Sequence, residues 1–261
     1  MIEAAGGRVV PFLINQTPQQ VEKMFNSVNG IVYPGGHVKL QHSKYGTVGK
    51  QIFELAKKAN DQGSVFPIWA ECLGLELIAL LASGRGLAKG QYDTALFNYT
   101  FSKNFTAPLT FSKEYKSSRL FGGLPPEMIT FMSTRLRSWH NHFLSILPAK
   151  FESFKDLSNM FRILSTNKDK KGVEFISTME GKKYPFFLFH WHPTKAPTAS
   201  PNNLDNSQEA VSNAKFLISV FVNLARMSNH RFQDEYAKNS ALIHNYPVTK
   251  NDQVDAYFIK M

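Results

Sequence analysis

Over its first 84 residues the chain alternates short apolar runs with helical patterns, and that alternation constrains the fold more than any other feature. Arg8 to Ile14 reads as a strand. Thr17-Pro18-Gln19-Gln20 reads as a helix start, with the hydroxyl as N-cap, proline at the first helical position and glutamine three residues on. That helix turns Val21, Met24 and Phe25 inward and ends near Asn26. Gly30-Ile31-Val32-Tyr33 is a second strand, stopped by Pro34-Gly35-Gly36. Val48, Ile52, Leu55 and Ala56 recur at helical spacing, which predicts a helix from Lys44 to Asn60. Val65 to Trp69 is the next strand, and Leu75 to Leu81 the next helix. Alternation of this kind builds a parallel sheet with crossover helices.

The remainder is less regular at first. Arg85 to Pro148 holds short β-like segments and turns. Strand-like runs follow at Phe161 to Ser165, Val173 to Ser177 and Pro185 to Trp191, and Ser177 to Gly181 reads as a β-turn. A loop rich in proline, serine and asparagine spans Pro193 to Asn206. A helix from Ser207 to Met227 then puts Ala210, Ala214, Leu217, Ile218, Phe221 and Leu224 on one face. The polar stretch after about Ile243 is assigned no role. With no internal repeat and no linker, residues 1–261 are expected to form a single α/β domain.

The formal charge of +10 raises the question of nucleic acid, but the basic residues are spread along the chain. The densest cluster, Lys168 to Lys171, is broken by Asp169 and reads as a solvated turn. No nucleic-acid partner is predicted, and the charge suits an anionic small substrate equally well. No apolar run approaches about 18 residues, so no membrane insertion is expected. The N-terminus lacks the pattern of a signal peptide. Glycosylation sequons stand at Asn15, Asn98 and Asn104.

The single cysteine, Cys72, lies between a strand-like and a helix-like run. That is the sequence form of a nucleophile elbow, in which a sharp turn exposes one side chain and leaves the next N–H, here that of Leu73, free to bind an oxyanion. A buried structural thiol fits the local sequence as well. A thiol hydrolase also needs a base. His192 ends the apolar run Pro185 to Trp191, and open parallel sheets place their sites at the carboxyl ends of strands. His190 stands two residues back. Gly35 and Gly36 close another strand, where they form either an ordinary turn or a close approach to ligand, with Gly36 offering a second oxyanion N–H. Glu76 falls in the first turn after the elbow, as a helix-start carboxylate or as a group holding the site. His140 and His142 stand two apart. No finger-type or HExxH spacing is present, nor a Walker or GxGxxG loop, and neither metal nor cofactor is predicted.

Together these segments resemble gamma-glutamyl hydrolase, a family of the class I glutamine amidotransferase-like superfamily. The resemblance is carried by Ile31 to Gly36, by Cys72-Leu73-Gly74-Leu75-Glu76, by Phe175 to Pro185 and by Trp191-His192-Pro193, and it runs co-linearly to roughly Ile243. It implies a flavodoxin-like three-layer α/β/α sandwich with a mostly parallel sheet. It also implies hydrolysis of folate or antifolate poly-gamma-glutamates through a thioester, with Cys72 as nucleophile and His192 as base. The oxyanion hole would comprise Gly36 and Leu73, with Gly35, His140 and Glu76 as substrate contacts. A lysosomal, vacuolar or extracellular location and a homodimer are further implications. Three departures accompany the likeness. The family's glutamate two residues after the histidine is Thr194 here; Ala70 stands where glycine is usual; and the first β–α unit has no counterpart, which would open a central gap in the sheet. These departures motivate a second hypothesis, an inactive or weakly active homologue that binds polyglutamates or a protein. A third is a glutaminase subunit.

Overall fold

The computed structural model describes residues 1–90, 92–195, 205–249, 256–257 and 259. In chain order the main elements are α1 (Pro18–Phe25), β1 (Ile31–Tyr33), α2 (Lys44–Asp61), β2 (Ile68–Glu71), α3 (Leu73–Ala82), β3 (Asn98–Ala107), β4 (Thr110–Phe111), α4 (Pro126–Thr134), β5 (Ser138–Ser145), α5 (Pro148–Ser153), α6 (Lys155–Met160), β6 (Phe161–Lys168), β7 (Glu174–Gly181), β8 (Phe186–Phe189) and α7 (Gln208–Ala225). The central sheet has the order β1-β2-β8-β7-β6-β4. Its site-bearing part is parallel, β1 with β2 and β2 with β8, and its flank through β7, β6 and β4 is antiparallel. β3 and β5 form a separate antiparallel ribbon.

Strand alternation sorts the core into two layers. Ile68, Ala70, Phe186 and Leu188 face one way, into a cluster with Val21 and Phe25 of α1, Ile52 and Phe53 of α2, and the apolar residues of α3. Trp69, Phe187 and Phe189 face the other way, against Leu217, Ile218 and Phe221 of α7 and Phe131 of α4. The result is an α/β/α sandwich. β2 and β8 are buried on both faces, so they read as continuous apolar runs. The capping box expected at Thr17 is formed, with Gln20 N–H donating to Thr17 Oγ1 and Thr17 N–H to Gln20 Oε1.

Two expectations about elements need correction. Arg8 to Ile14 is not a strand: an apolar run becomes one only with a ladder neighbour, and this segment is half-buried with its Val9 carbonyl accepting from Ile243 N–H. Ser177 to Gly181 is not a turn but the buried interior of β7. Its polar side chains are satisfied across the sheet: Ser177 Oγ donates to Asn167 Oδ1 (2.5 Å), Ser165 Oγ to Thr178 Oγ1 (2.8 Å), and Glu180 pairs with Arg119 and Arg162. The ladder β1–β2–β8 is continuous, so the described sheet has no gap in its interior. β1 is its edge, where Val32 is 37% exposed. The irregular middle contains the ten-residue β3. Residues 196–204 of the loop expected from Pro193 to Asn206 lie outside the described residues.

Candidate active site

The turn from β2 into α3 is a single residue, Cys72, held at φ 52° and ψ −109°. A non-glycine residue with positive φ is strained, and such strain persists where the surroundings over-determine it. Here Cys72 N–H donates to Phe189 O of β8 (2.7 Å), and Cys72 O accepts from Glu76 N–H (3.0 Å). The elbow is thus pinned from both sides. Ala70 lies two residues earlier inside β2, paired with Tyr33 and Leu188, and is not among the positive-φ residues. The backbone strain falls on Cys72, and alanine fits at position 70.

β8 ends at Phe189 and carries the chain to His192, beside the elbow. His192 N–H donates to Trp139 O (3.2 Å), and its ring lies 5.0 Å from that of Trp139. Gly35, at the end of β1, sits between the two groups. A Cβ placed there would stand 2.9 Å from His192 Cε1 and 3.2 Å from Cys72 Cβ. Gly36 is next to Leu73, whose side chain a Cβ would meet at 3.6 Å. The structure therefore brings together Cys72, His192, Gly35, Gly36 and Leu73.

The thiol is only 7% exposed, and burial, the largest influence, pushes its pKa up to about 12. Glu76 and Glu71 also raise it, while a hydrogen bond from Leu73 N–H and the charge of Lys195 oppose them. At that value the resting group is a thiol, and any attack by it would need a base to take the proton. Leu73 N–H is the first amide of α3, so the partial positive charge of the helix N-terminus also faces the sulfur. Glu76 is buried on the same turn, and desolvation raises its pKa to about 8.

Position 194 places no carboxylate against His192, but the last residue of β2 does. Glu71 Oε2 lies 3.3 Å from His192 Nδ1. The same oxygen accepts from Thr194 Oγ1 (2.9 Å), while Oε1 accepts from Trp69 Nε1 (2.9 Å) and Thr194 N–H (3.3 Å). Sequence reasoning passed over Glu71. The signal was there, a carboxylate closing the apolar run Ile68-Trp69-Ala70, where a strand buried on both faces tolerates charge only if it is partnered.

His140 is corrected. Expected to touch substrate, it is fully buried in β5, with Nδ1 3.1 Å from His142 Nε2 and Nε2 3.3 Å from Ser138 Oγ. Burial lowers the pKa of His140 and His142 well below the ordinary value and that of His190 to about 4. His142 and His190 stack at 4.1 Å. These three rings pack the ribbon onto the sheet. Of the sequons, Asn15 and Asn104 are exposed, whereas Asn98 is half-buried, with Oδ1 enclosed.

A thiol on a strand-to-helix elbow, with a histidine at the carboxyl end of the neighbouring parallel strand, defines the class of α/β thiol hydrolases. The chain belongs to the peptidase C26 family, whose model matches residues 1–194. It is similar to gamma-glutamyl hydrolase of Homo sapiens, 37% identical over 94% of this chain and 74% of that protein. It is also similar to the Bos taurus gamma-glutamyl hydrolase, 34% identical over 98% of this chain and 78% of the relative. Gamma-glutamyl hydrolase B of Dictyostelium discoideum is 34% identical over 99% of this chain and 74% of that protein.

Proposed function

We propose that this chain hydrolyses gamma-glutamyl bonds of folate poly-gamma-glutamates, with Cys72 as nucleophile and His192 as general base and acid. The observation that carries this reading is Cys72 on a strained elbow, with both it and His192 packed against Gly35. As Cys72 Sγ attacks the amide carbonyl carbon, its proton passes to His192. The N–H groups of Leu73 and Gly36 receive the developing oxyanion. The C–N bond breaks as His192 protonates the leaving amine, which leaves a thioester. Water then attacks the acyl carbon and gives its proton to His192, the C–S bond breaks, and the thiol is restored.

The choice of substrate has electrostatic support. A poly-gamma-glutamate carries one free carboxylate per residue. Exposed His37 and Lys39 follow the glycine pair, Arg137 is exposed near Trp139, and Lys195 lies 4.4 Å over the Trp139 ring. The test is turnover of pteroyl-polyglutamate by the purified chain. Cys72→Ala is expected to lower kcat on the order of 10³-fold or more. Equal turnover by the parent and Cys72→Ala would remove this reading. Placement in a lysosome, vacuole or secretion belongs to the same proposal. A mobility shift on glycosidase treatment, abolished by Asn15→Gln with Asn104→Gln, is its check.

A further inference from the structure

The imidazole of a thiol hydrolase must present a basic nitrogen to the sulfur and hold that orientation as it gains charge. In this chain the position two residues after His192 is a threonine, which has no charge to offer. We infer that Glu71, the residue immediately before the nucleophile, is the positioning carboxylate for His192, and that Thr194 serves as its clamp. This inference rests on the Cys72–His192 reading above and deepens it.

Three observations support the assignment. The first is geometric. Glu71 Oε2 faces His192 Nδ1 at 3.3 Å, so a proton on Nδ1 leaves the lone pair of Nε2 for the thiol. The second is the environment of the carboxylate. Glu71 is 5% exposed, and an enclosed charge is tolerated only when its lone pairs are used. Trp69 Nε1, Thr194 N–H and Thr194 Oγ1 take up its remaining acceptor capacity. The third is the role left to residue 194. Both hydrogen-bond donors of Thr194 are spent on Glu71. A glutamate there would put a second carboxylate against the first, so positions 71 and 194 have room for one charge between them.

The neighbouring ionisable groups do not replace Glu71. Cys72 and Glu76 lie on the sulfur side, Lys195 is a cation over Trp139, and His140, His142 and His190 are held neutral by burial. Among the described residues, Glu71 is the carboxylate whose oxygen lies against the His192 ring, at 3.3 Å from Nδ1.

The experiment compares Glu71→Gln, Glu71→Thr and the exchanged pair Glu71→Thr with Thr194→Glu, each assayed on pteroyl-polyglutamate beside the parent and Cys72→Ala. Glutamine has the same shape and keeps an acceptor for Trp69 and Thr194, so a purely structural role survives in Glu71→Gln. The expected result is a fall in kcat of about 10²–10⁴-fold with KM nearly unchanged. The Nδ1–H proton resonance of His192, followed by NMR in the Cys72→Ala background, should move upfield when the carboxylate is removed, as a charge-assisted hydrogen bond is lost. Glu71→Thr should be as impaired as Glu71→Gln, and the exchanged pair should regain at least tenfold over Glu71→Thr. Glu71→Gln within threefold of the parent, or an unmoved His192 Nδ1–H resonance, would overturn the assignment. If Cys72→Ala abolishes turnover in that case, the Cys72–His192 reading survives. If Cys72→Ala matches the parent, that reading fails instead.

Discussion

At the scale of single residues, the site is defined by what Gly35 lacks. Adding one methyl would place it 2.9 Å from the His192 ring and 3.2 Å from Cys72 Cβ, closer than side chains pack. Gly35→Ala should wedge the two groups apart and lower kcat by about 10²-fold, since small misplacements of reacting groups cost that much. Thermal melting should change far less than activity, because Gly35 lies at a loop surface and not in the core; equal turnover by Gly35→Ala and parent would contradict this account. Cys72, His192 and the glycine pair were legible in the sequence because each ends an apolar run. Glu71 was not legible, because a residue that closes a strand has no periodicity of its own, and its partner Thr194 lies 123 residues away. His140 misled for a related reason. Two histidines alternating along a strand share a face, but the sequence does not show whether that face meets solvent or, as here, another sheet.

At the scale of elements, α3 is the most exacting. Nine of its ten residues are buried, and it starts at the elbow. Its close approach to β1 needs Gly74: a Cβ would stand 2.5 Å from Tyr33 O and 2.7 Å from Tyr33 Cβ. Gly74→Ala should therefore destabilise the fold by about 1–3 kcal/mol, read as a lower urea midpoint at constant slope. Glu76 gives the same helix a pH dependence. Its pKa is about 8 when folded against an ordinary 4.5, so between those values the unfolded chain loses its proton first. The stability linked to Glu76 is full below about pH 4.5 and is lost as pH rises to about 8. Glu76→Gln should remove this contribution, and urea midpoints at pH 5 and pH 8 will show whether the difference narrows. Helices and buried strands were legible from periodicity. β7 was not, because its polar interior looks like a turn until its partners on β6, β8 and the Arg119 loop are in view.

At the scale of the molecule, the central sheet and the β3–β5 ribbon are joined through His140, His142 and His190, and that joint makes the whole fold acid-sensitive. Their folded pKa values lie below the ordinary 6.5, His190 at about 4. As pH falls below about 6.5 the unfolded chain takes up protons that the folded chain refuses, so stability is lost over that range. Glu76 acts in the opposite sense over this range, so the histidine effect is read in the Glu76→Gln background. The urea midpoint should drop between pH 7 and pH 5, and His190→Gln should shrink the drop; a flat profile would exclude the joint as the acid-sensitive element. The Glu71–Thr194 contact has a consequence beyond this chain. Two positions that share one carboxylate should change together. A lineage that loses the acid at one must gain it at the other, or it keeps the thiol while losing the rate. Relatives should then carry a carboxylate at one of the two positions and not at both, and a relative with the acid at both would count against a shared role.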